Sequence, residues 1–259
     1  MKHISYSALK EWNECAWKHK LNYIDGLKQF KGNEFTAFGT AIHTVCENLV
    51  AKTGVDTVHL FDKEFAKNLA RIKDQDPDII FRKDLVESMR RQGAHLIKYI
   101  LPALHANFGE FEVFSIEEDL YVPLEEALHF KGFIDLVVKT SNGKYHIIDW
   151  KTCSWGWDTR RKSEKMTTYQ LTLYKHFFSL KHNIDSNNVE THFALLKRTA
   201  KKNNIEIFKV TSGPKKTENA LKLLYKALYN INNKKHIKNR LACHGKFGTC
   251  DYYKTKHCN

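Results

Sequence analysis

The sequence predicts an α/β or α+β protein in which a helical front leads into a mixed sheet and then a further helix. Three observations carry that prediction. Apolar residues recur at three and four spacings through the first third, a central region is rich in β-branched and aromatic residues, and helical spacing returns beyond it.

The segments follow in order. "YSALKEWNECAWKHKLNYI", "FTAFGTAIHTVCENLVAK" and "LFDKEFAKNLARI" read as helices, and "DLVESMRRQGAHLIKYILPALHANF" as a longer one that ends or bends near Pro102. "FEVFSIEEDLYVPL", "LHFKGFIDLVVKT" and "KYHIIDWKTC" read as strands, with Ser141-Asn142-Gly143 as the turn of a hairpin between the last two. A helix follows in "MTTYQLTLYKHFFSLKH", then strands at "VETHFALLKRT" and "NIEIFKV". Pro214 opens a last helix running to about Ile237, before a loop-like, cysteine-bearing end. With no internal repeat and no low-complexity linker, residues 1–259 read as one domain: a helical front (1–110), a sheet with its helix (111–212), and a C-terminal helix with a cysteine tail (213–259).

At 259 residues and 42% hydrophobic content the chain can bury a sizeable core. Its 42 Lys and Arg against 29 Asp and Glu leave a formal charge of +13, which favours polyanionic partners, nucleic acid first; a generally basic, solvated surface is the plainer alternative. No stretch approaches the roughly 20 apolar residues that span a bilayer, and the first residues do not resemble a secretion signal. The expectation is a cytoplasmic protein with no membrane partner, its six cysteines reduced, metal-bound or buried rather than joined in disulfides.

The chemistry concentrates on the hairpin. Asp149 and Lys151, two apart on a strand, share one face about 6.6 Å apart, with Trp150 on the other. Asp135 stands in the apolar run "KGFIDLVV" of the preceding strand, where an unpartnered carboxylate is costly to bury. The short turn lets Asp135 and Asp149 converge, and two converging carboxylates suit a hard divalent cation, Mg²⁺ or Mn²⁺. Lys151 beside such a cation can orient a water and steady charge on a phosphoryl oxygen, as phosphodiester hydrolysis requires. A surface ion pair at Asp149 and Lys151 with Asp135 as a turn cap is the competing reading, but the apolar setting of Phe133, Ile134, Ile147 and Trp150 argues against it.

"GFIDLVV", "IIDWKT" and "YQLTLY", in that order, resemble the PD-(D/E)XK nuclease superfamily, in particular its RecB-like branch, which includes CRISPR-associated exonucleases and phage recombination nucleases. The resemblance implies a restriction-endonuclease-like core, with a mixed central β-sheet flanked by helices. It also implies catalytic roles for Asp135, Asp149, Lys151, Gln170 and Tyr174, the last two one helical turn apart. "GTAIHTVCE" is similar to the branch's G-x-x-x-H-x-x-x-E segment, which makes His43 a metal ligand beside Asp135, Asp149 and the Trp150 carbonyl, and Glu47 a supporting residue. The opening "SYSALKEWNECAWKHKLNYIDGL" resembles the family's N-terminal motif, except for Ala16 where proline is usual.

Cys243, Cys250 and Cys258 cluster in the tail, and Cys15 can supply a fourth thiolate. Several RecB-like nucleases resemble this plan, with an iron–sulfur cluster held by one early and three late cysteines; the late spacing here is wider than theirs, and zinc, with His244 or His257 in place of a thiolate, or three free thiols, stay open. Cys46 and Cys153 read as core residues.

For DNA contacts the sequence offers Arg160, Arg161 and Lys162, then Lys197 and Arg198 with Lys201 and Lys202, and Trp155 and Trp157 as surfaces for base stacking. The reading is a metal-dependent DNA exonuclease of recombination, repair or phage DNA metabolism, acting in a bacterial or phage-infected cytosol, with recombination or replication proteins as partners. A DNA-binding scaffold that has lost catalysis, or an RNA-directed hydrolase, is the alternative.

Overall fold

The structure is a computed structural model and describes residues 2–28, 30–125, 128–245 and 248–259. In chain order its elements are β1 (His3–Ser5), α1 (Tyr6–Glu14), α2 (Ala16–His19) leading into a π-helical turn (Lys20–Ile24), α3 (Glu34–Val50), α4 (Thr57–Gln75) and α5 (Lys83–Phe108). There follow β2 (Phe111–Glu125), β3 (Leu128–Thr140), β4 (Tyr145–Cys153), α6 (Thr159–Ser163), α7 (Lys165–His182), β5 (Val189–Lys197), β6 (Ile205–Lys209) and α8 (Pro214–Asn232). The short pair β7 (His244–Gly245) and β8 (Gly248–Thr249) lies in the tail that the sequence reads as loop.

The helix starts follow local chemistry. Asn33 accepts from the backbone of Thr36, whose hydroxyl accepts from the Asn33 N–H in return, so α3 begins in a capping box. Asp56 takes the N–H groups of Val58 and His59 to start α4, and Glu164 takes that of Thr167 to start α7. α5 does not end at Pro102 but runs through it to Phe108 and stops at Gly109, whose φ of 67° suits glycine. α8 stops at Asn232 rather than near Ile237, and Lys234 just beyond it takes φ 55°.

The chain divides into two compact units. The first comprises Met1–Phe30, Tyr121–Gly132 and Ser212–Asn259. In it β1 pairs in parallel with β3 at His129, Phe130 and Lys131, α1 packs on α8, and Leu21, Tyr252 and Cys258 form a small core with Trp17 and Cys250.

The second unit, Lys31–Leu120 and Phe133–Thr211, holds the mixed sheet flanked by helices. β3 and β4 are antiparallel, β4 and β5 parallel, β5 and β6 antiparallel, and β2 pairs with β3. Alternation along β4 sends Ile148 and Trp150 into the main core, with Leu136, Val138, Ala194 and Leu196 of the neighbouring strands and the apolar faces of α3, α4 and α5. Phe38, Phe61 and Phe65 meet there at ring separations of 5.3–6.1 Å. A Cβ on Gly93 would lie 2.2 Å from the Phe61 ring, so α5 approaches α4 this closely only with glycine at that point. α7 packs against β4 and β5. Among the described residues no helix is long and apolar enough to cross a membrane.

Candidate active site

The pairing of β3 with β4 runs from Lys139 and Tyr145 to Leu136 and Ile148, and there the ladder stops. One step further on, Asp135 Oδ2 accepts the backbone N–H of Trp150 at 2.6 Å. A carboxylate thus takes the place of a strand partner where the two strands part, and the parting is where the acids gather.

Asp135 Oδ1 lies 3.6 Å from His43 Nδ1, brought in by α3. The side chain of Asp149, 2% exposed, accepts from Gln170 Nε2 of α7 at 2.7 Å through Oδ1. Its other oxygen, Oδ2, is buried and forms an ion pair with Lys151 Nζ at 2.5 Å. Gln170 Nε2 is also 3.4 Å from the Tyr174 hydroxyl. The structure therefore brings His43, Asp135, Asp149, Lys151, Gln170 and Tyr174 together. Gln170 serves there by holding Asp149.

The electrostatics are those of a crowded acidic pocket. Burial pushes the Asp149 carboxyl up to about 6, with Lys151 opposing and Asp135 adding to the shift. Burial lowers the His43 imidazole, yet its bond to Asp135 and the charges of Asp135 and Asp149 outweigh this and raise it above the ordinary value. Burial likewise raises the Tyr174 phenol, with Asp149 adding to it. Behind His43, Glu47 shares a hydrogen bond with Glu117; burial and then Asp135 and Glu47 raise Glu117 to about 7, and burial raises Glu47.

Glu117 is absent from the sequence reading. It lies mid-strand in β2 with φ 50°, a left-handed position that is rare for a residue with a side chain. The signal available in the sequence was an acidic residue inside a strand-like segment, too common to single out.

The donor set, an imidazole nitrogen beside one aspartate and a second, buried aspartate on the neighbouring strand, is of the kind a hard divalent cation takes. Glu47 and Glu117 add negative charge near it, and the Lys151 ammonium opposes that charge.

The expected DNA contacts separate into two groups. Trp155, 77% exposed, stands beyond the end of β4, and Arg160 and Arg161 are exposed. Trp157 is instead buried edge-on against Phe193 and Phe208, with the Arg161 guanidinium 4.4 Å from its ring centre. Lys162 and Lys197 both pair with Glu206. Arg198 is buried over Phe35 and Phe38, bonded to Gln92 at 2.7 Å and Ser154 at 3.0 Å. Trp157, Lys197 and Arg198 therefore hold the unit together and present no surface to a nucleic acid.

In the first unit, Cys15, Cys243, Cys250 and Cys258 line one cavity of about 40 Å³ with Trp17 and Tyr252, and all four thiols are free. Trp17 Nε1 donates to the His257 carbonyl and Asn239 Nδ2 to the Glu14 carbonyl, so the tail is tied to the first helices around this cavity.

The sequence model of the PD-(D/E)XK nuclease superfamily matches residues 3–258 of the chain. Among solved structures, that of a "Putative exonuclease" from Eubacterium rectale superposes with a TM-score of 0.58 at 13% identity, covering 92% of this chain and 84% of that one; the likeness is one of fold. A second, that of SSO0001, aligns over 63% of this chain and 70% of its own at 13% identity and a TM-score of 0.33, too loosely to argue from. No curated protein matches the chain in sequence.

Proposed function

The chain belongs to the PD-(D/E)XK nuclease superfamily, and from that premise we propose a divalent-metal-dependent deoxyribonuclease of the RecB-like type, an exonuclease of DNA recombination, repair or phage DNA metabolism. The observation that carries the reading is the meeting, where β3 and β4 part, of His43 on Asp135 at 3.6 Å and of Lys151 on the buried Asp149 at 2.5 Å.

His43, Asp135, Asp149 and the Trp150 carbonyl would hold Mg²⁺ or Mn²⁺, with Glu47 and Glu117 adding negative charge behind them. The cation, when bound, acidifies a water and screens the phosphate from the acids. Lys151 holds the attacking water and stabilises charge developing on the phosphoryl oxygen. Gln170 fixes the plane of the Asp149 carboxylate, and Tyr174 fixes Gln170. Trp155 offers a stacking face near the site, and Arg160 and Arg161 meet the phosphate backbone.

The four cysteines of the first unit would hold an iron–sulfur cluster. What supports this is that the four free thiols, one from the first helices and three from the tail, line one cavity. Visible absorption bleached by dithionite supports this; a colourless protein carrying stoichiometric zinc overturns it.

The test of the enzyme is incubation of the purified protein with end-labelled single- and double-stranded DNA and with RNA, in Mg²⁺ or Mn²⁺, with EDTA as control. Lys151→Ala is expected to bind DNA and not cut it. If the wild type cuts no DNA under either metal while still binding it, the chain is a scaffold, and preferential digestion of RNA would make it an RNA-directed hydrolase.

A further inference from the structure

We infer that the second unit carries another metal site, for Zn²⁺, formed by His146 of β4 with Glu190 and His192 of β5 and separate from the acidic pocket at the end of β3. The parallel register pairs His146 with Glu190 and Ile148 with His192. Side chains two apart on a strand share a face, so all three polar groups fall on the side of the sheet that carries Ile148 and Trp150. His146 and Glu190 lie three residues before Asp149, about 10 Å along the strand, and His192 is level with Ile148.

One ligand atom from each of the three residues lies within 4.8 Å of the other two. His146 Nδ1 is 3.2 Å from His192 Nε2 and 3.9 Å from Glu190 Oε2. Two imidazole nitrogens at about 2.0–2.1 Å from a tetrahedral zinc ion stand roughly 3.3 Å apart, which is close to the spacing already present. Both histidines are buried, 8% and 7% exposed, and Phe108 at the end of α5 packs its ring on both.

The surrounding bonds prepare the donor atoms. The Thr140 hydroxyl gives its hydrogen to Asn142 Oδ1 at 2.7 Å, so at 3.1 Å it must accept from His146 Nε2. That places the proton of His146 on Nε2 and leaves Nδ1 as a bare lone pair facing His192, the arrangement usual for a ligating histidine whose other nitrogen is held by a second group. Burial lowers both imidazoles, His192 to about 4, so neither carries a charge that would repel a cation near neutral pH. Glu190 Oε1 accepts from the Lys144 ammonium and pairs with that of Lys209, each at 2.8 Å, and Oε2 faces the histidine side.

Those two lysines oppose a cation and make the site weaker than a bare three-residue one. Without metal, the pair of rings is held by an N–H···N bond, and binding requires His192 to move its proton to Nδ1. Two imidazoles and one carboxylate with water in the fourth place suit zinc, whereas Mg²⁺ and Mn²⁺ prefer all-oxygen surroundings. Bound there, the ion ties β4 to β5 at the end away from Asp149.

The decisive measurement needs no variant. Crystals of chelator-treated wild-type protein soaked in zinc should show anomalous density at the zinc edge within about 2.0–2.2 Å of His146 Nδ1, His192 Nε2 and Glu190 Oε2. Density only at the acidic pocket or the cysteines, with none between the two histidines, overturns the proposal. In solution, equilibrium dialysis should find one fewer zinc per chain in His192→Gln than in the wild type under the same conditions, and an unchanged count in a folded variant overturns it equally. A variant that fails to fold leaves the crystal result to decide.

Discussion

The two faces of β4 differ in what surrounds them although their residues alternate in a single strand. Ile148 and Trp150 are fully enclosed by the apolar faces of α3, α4 and α5, where Gly93 lets the helices close on Phe61. Asp149 and Lys151 point the other way, and Asp149 is as buried as Trp150 while its carboxylate meets the Lys151 ammonium and the Gln170 amide. One face is satisfied and the other holds a charge in a place that would suit an apolar side chain. A period of two lets neighbouring residues serve stability and chemistry independently, and substitution at adjacent positions should separate the two.

The largest effect is expected on the polar face. Asp149→Asn should lower DNA cleavage at least about 10³-fold, since it removes a ligand charge and the partner of Lys151, and single groups of this kind are worth roughly 10²–10³ each. Its metal-free fold should become more stable, because a buried carboxylate is replaced by a neutral amide that Gln170 can still meet. Steady-state cleavage and urea melts in EDTA on the same preparation measure both; a loss of activity accompanied by a loss of stability would break the contrast between the faces.

Next comes the apolar face. Trp150→Leu should cost about 3–4 kcal/mol of stability through the cavity it leaves, and the fraction that stays folded should keep cleavage within a few-fold of the wild type. Urea unfolding read against activity per folded molecule checks this. A collapse of activity in fully folded protein would mean that the core face positions the site rather than merely supporting it.

A smaller effect distinguishes two tryptophans that look alike in sequence. Trp155 is 77% exposed and Trp157 is buried against Phe193 and Phe208. Trp155→Ala should weaken single-stranded DNA binding by about tenfold, or about 1.4 kcal/mol, with the melting temperature unchanged. Trp157→Ala should do the reverse, leaving binding near the wild-type level and lowering the melting temperature. Fluorescence anisotropy with labelled DNA and thermal melts separate them.

How far each feature could be read in the sequence depends on the range of the interaction that decides it. The hairpin was legible because Ser141-Asn142-Gly143 and the flanking alternation are local, and the same alternation places Asp149 and Lys151 on one face. The helix bearing His43 was legible from its spacing, and the resemblance supplied the order in which the site residues arrive. The fates of Lys162, Lys197 and Arg198 were not legible, because Glu206, Gln92 and Ser154 lie on other elements, and nothing within a basic cluster says whether a carboxylate will meet it. The same holds for Glu117, which reaches the pocket through a left-handed turn of the backbone inside β2 that no residue near it announces. Pro102 could not decide by itself whether the helix ends there: α5 runs on past it, its other turns held by burial of Met89, Leu96, Ile97, Ile100 and Leu104.

The smallest expected effect tests the charge on the polar face directly. Asp149 titrates near 6 in the folded chain, raised from 3.8 by burial. A carboxyl raised on folding binds its proton more tightly in the folded state, so its contribution to stability is whole below about 3.8, declines as pH rises toward about 6, and levels off above that. Between pH 5 and pH 7 the loss amounts to about 1 kcal/mol. Asn at this position does not titrate and should escape the decline. Urea melts of wild type and Asp149→Asn in EDTA at the two pH values should therefore show the variant's advantage growing by about 1 kcal/mol from the lower to the higher. Mg²⁺ added at pH 7 should narrow that gap, since the cation binds the ionised carboxylate and stabilises the wild type alone. An advantage that stays constant with pH would mean that the carboxyl is already ionised at pH 5 and that Lys151 alone offsets its burial, so that the polar face is as settled as the apolar one before any metal arrives.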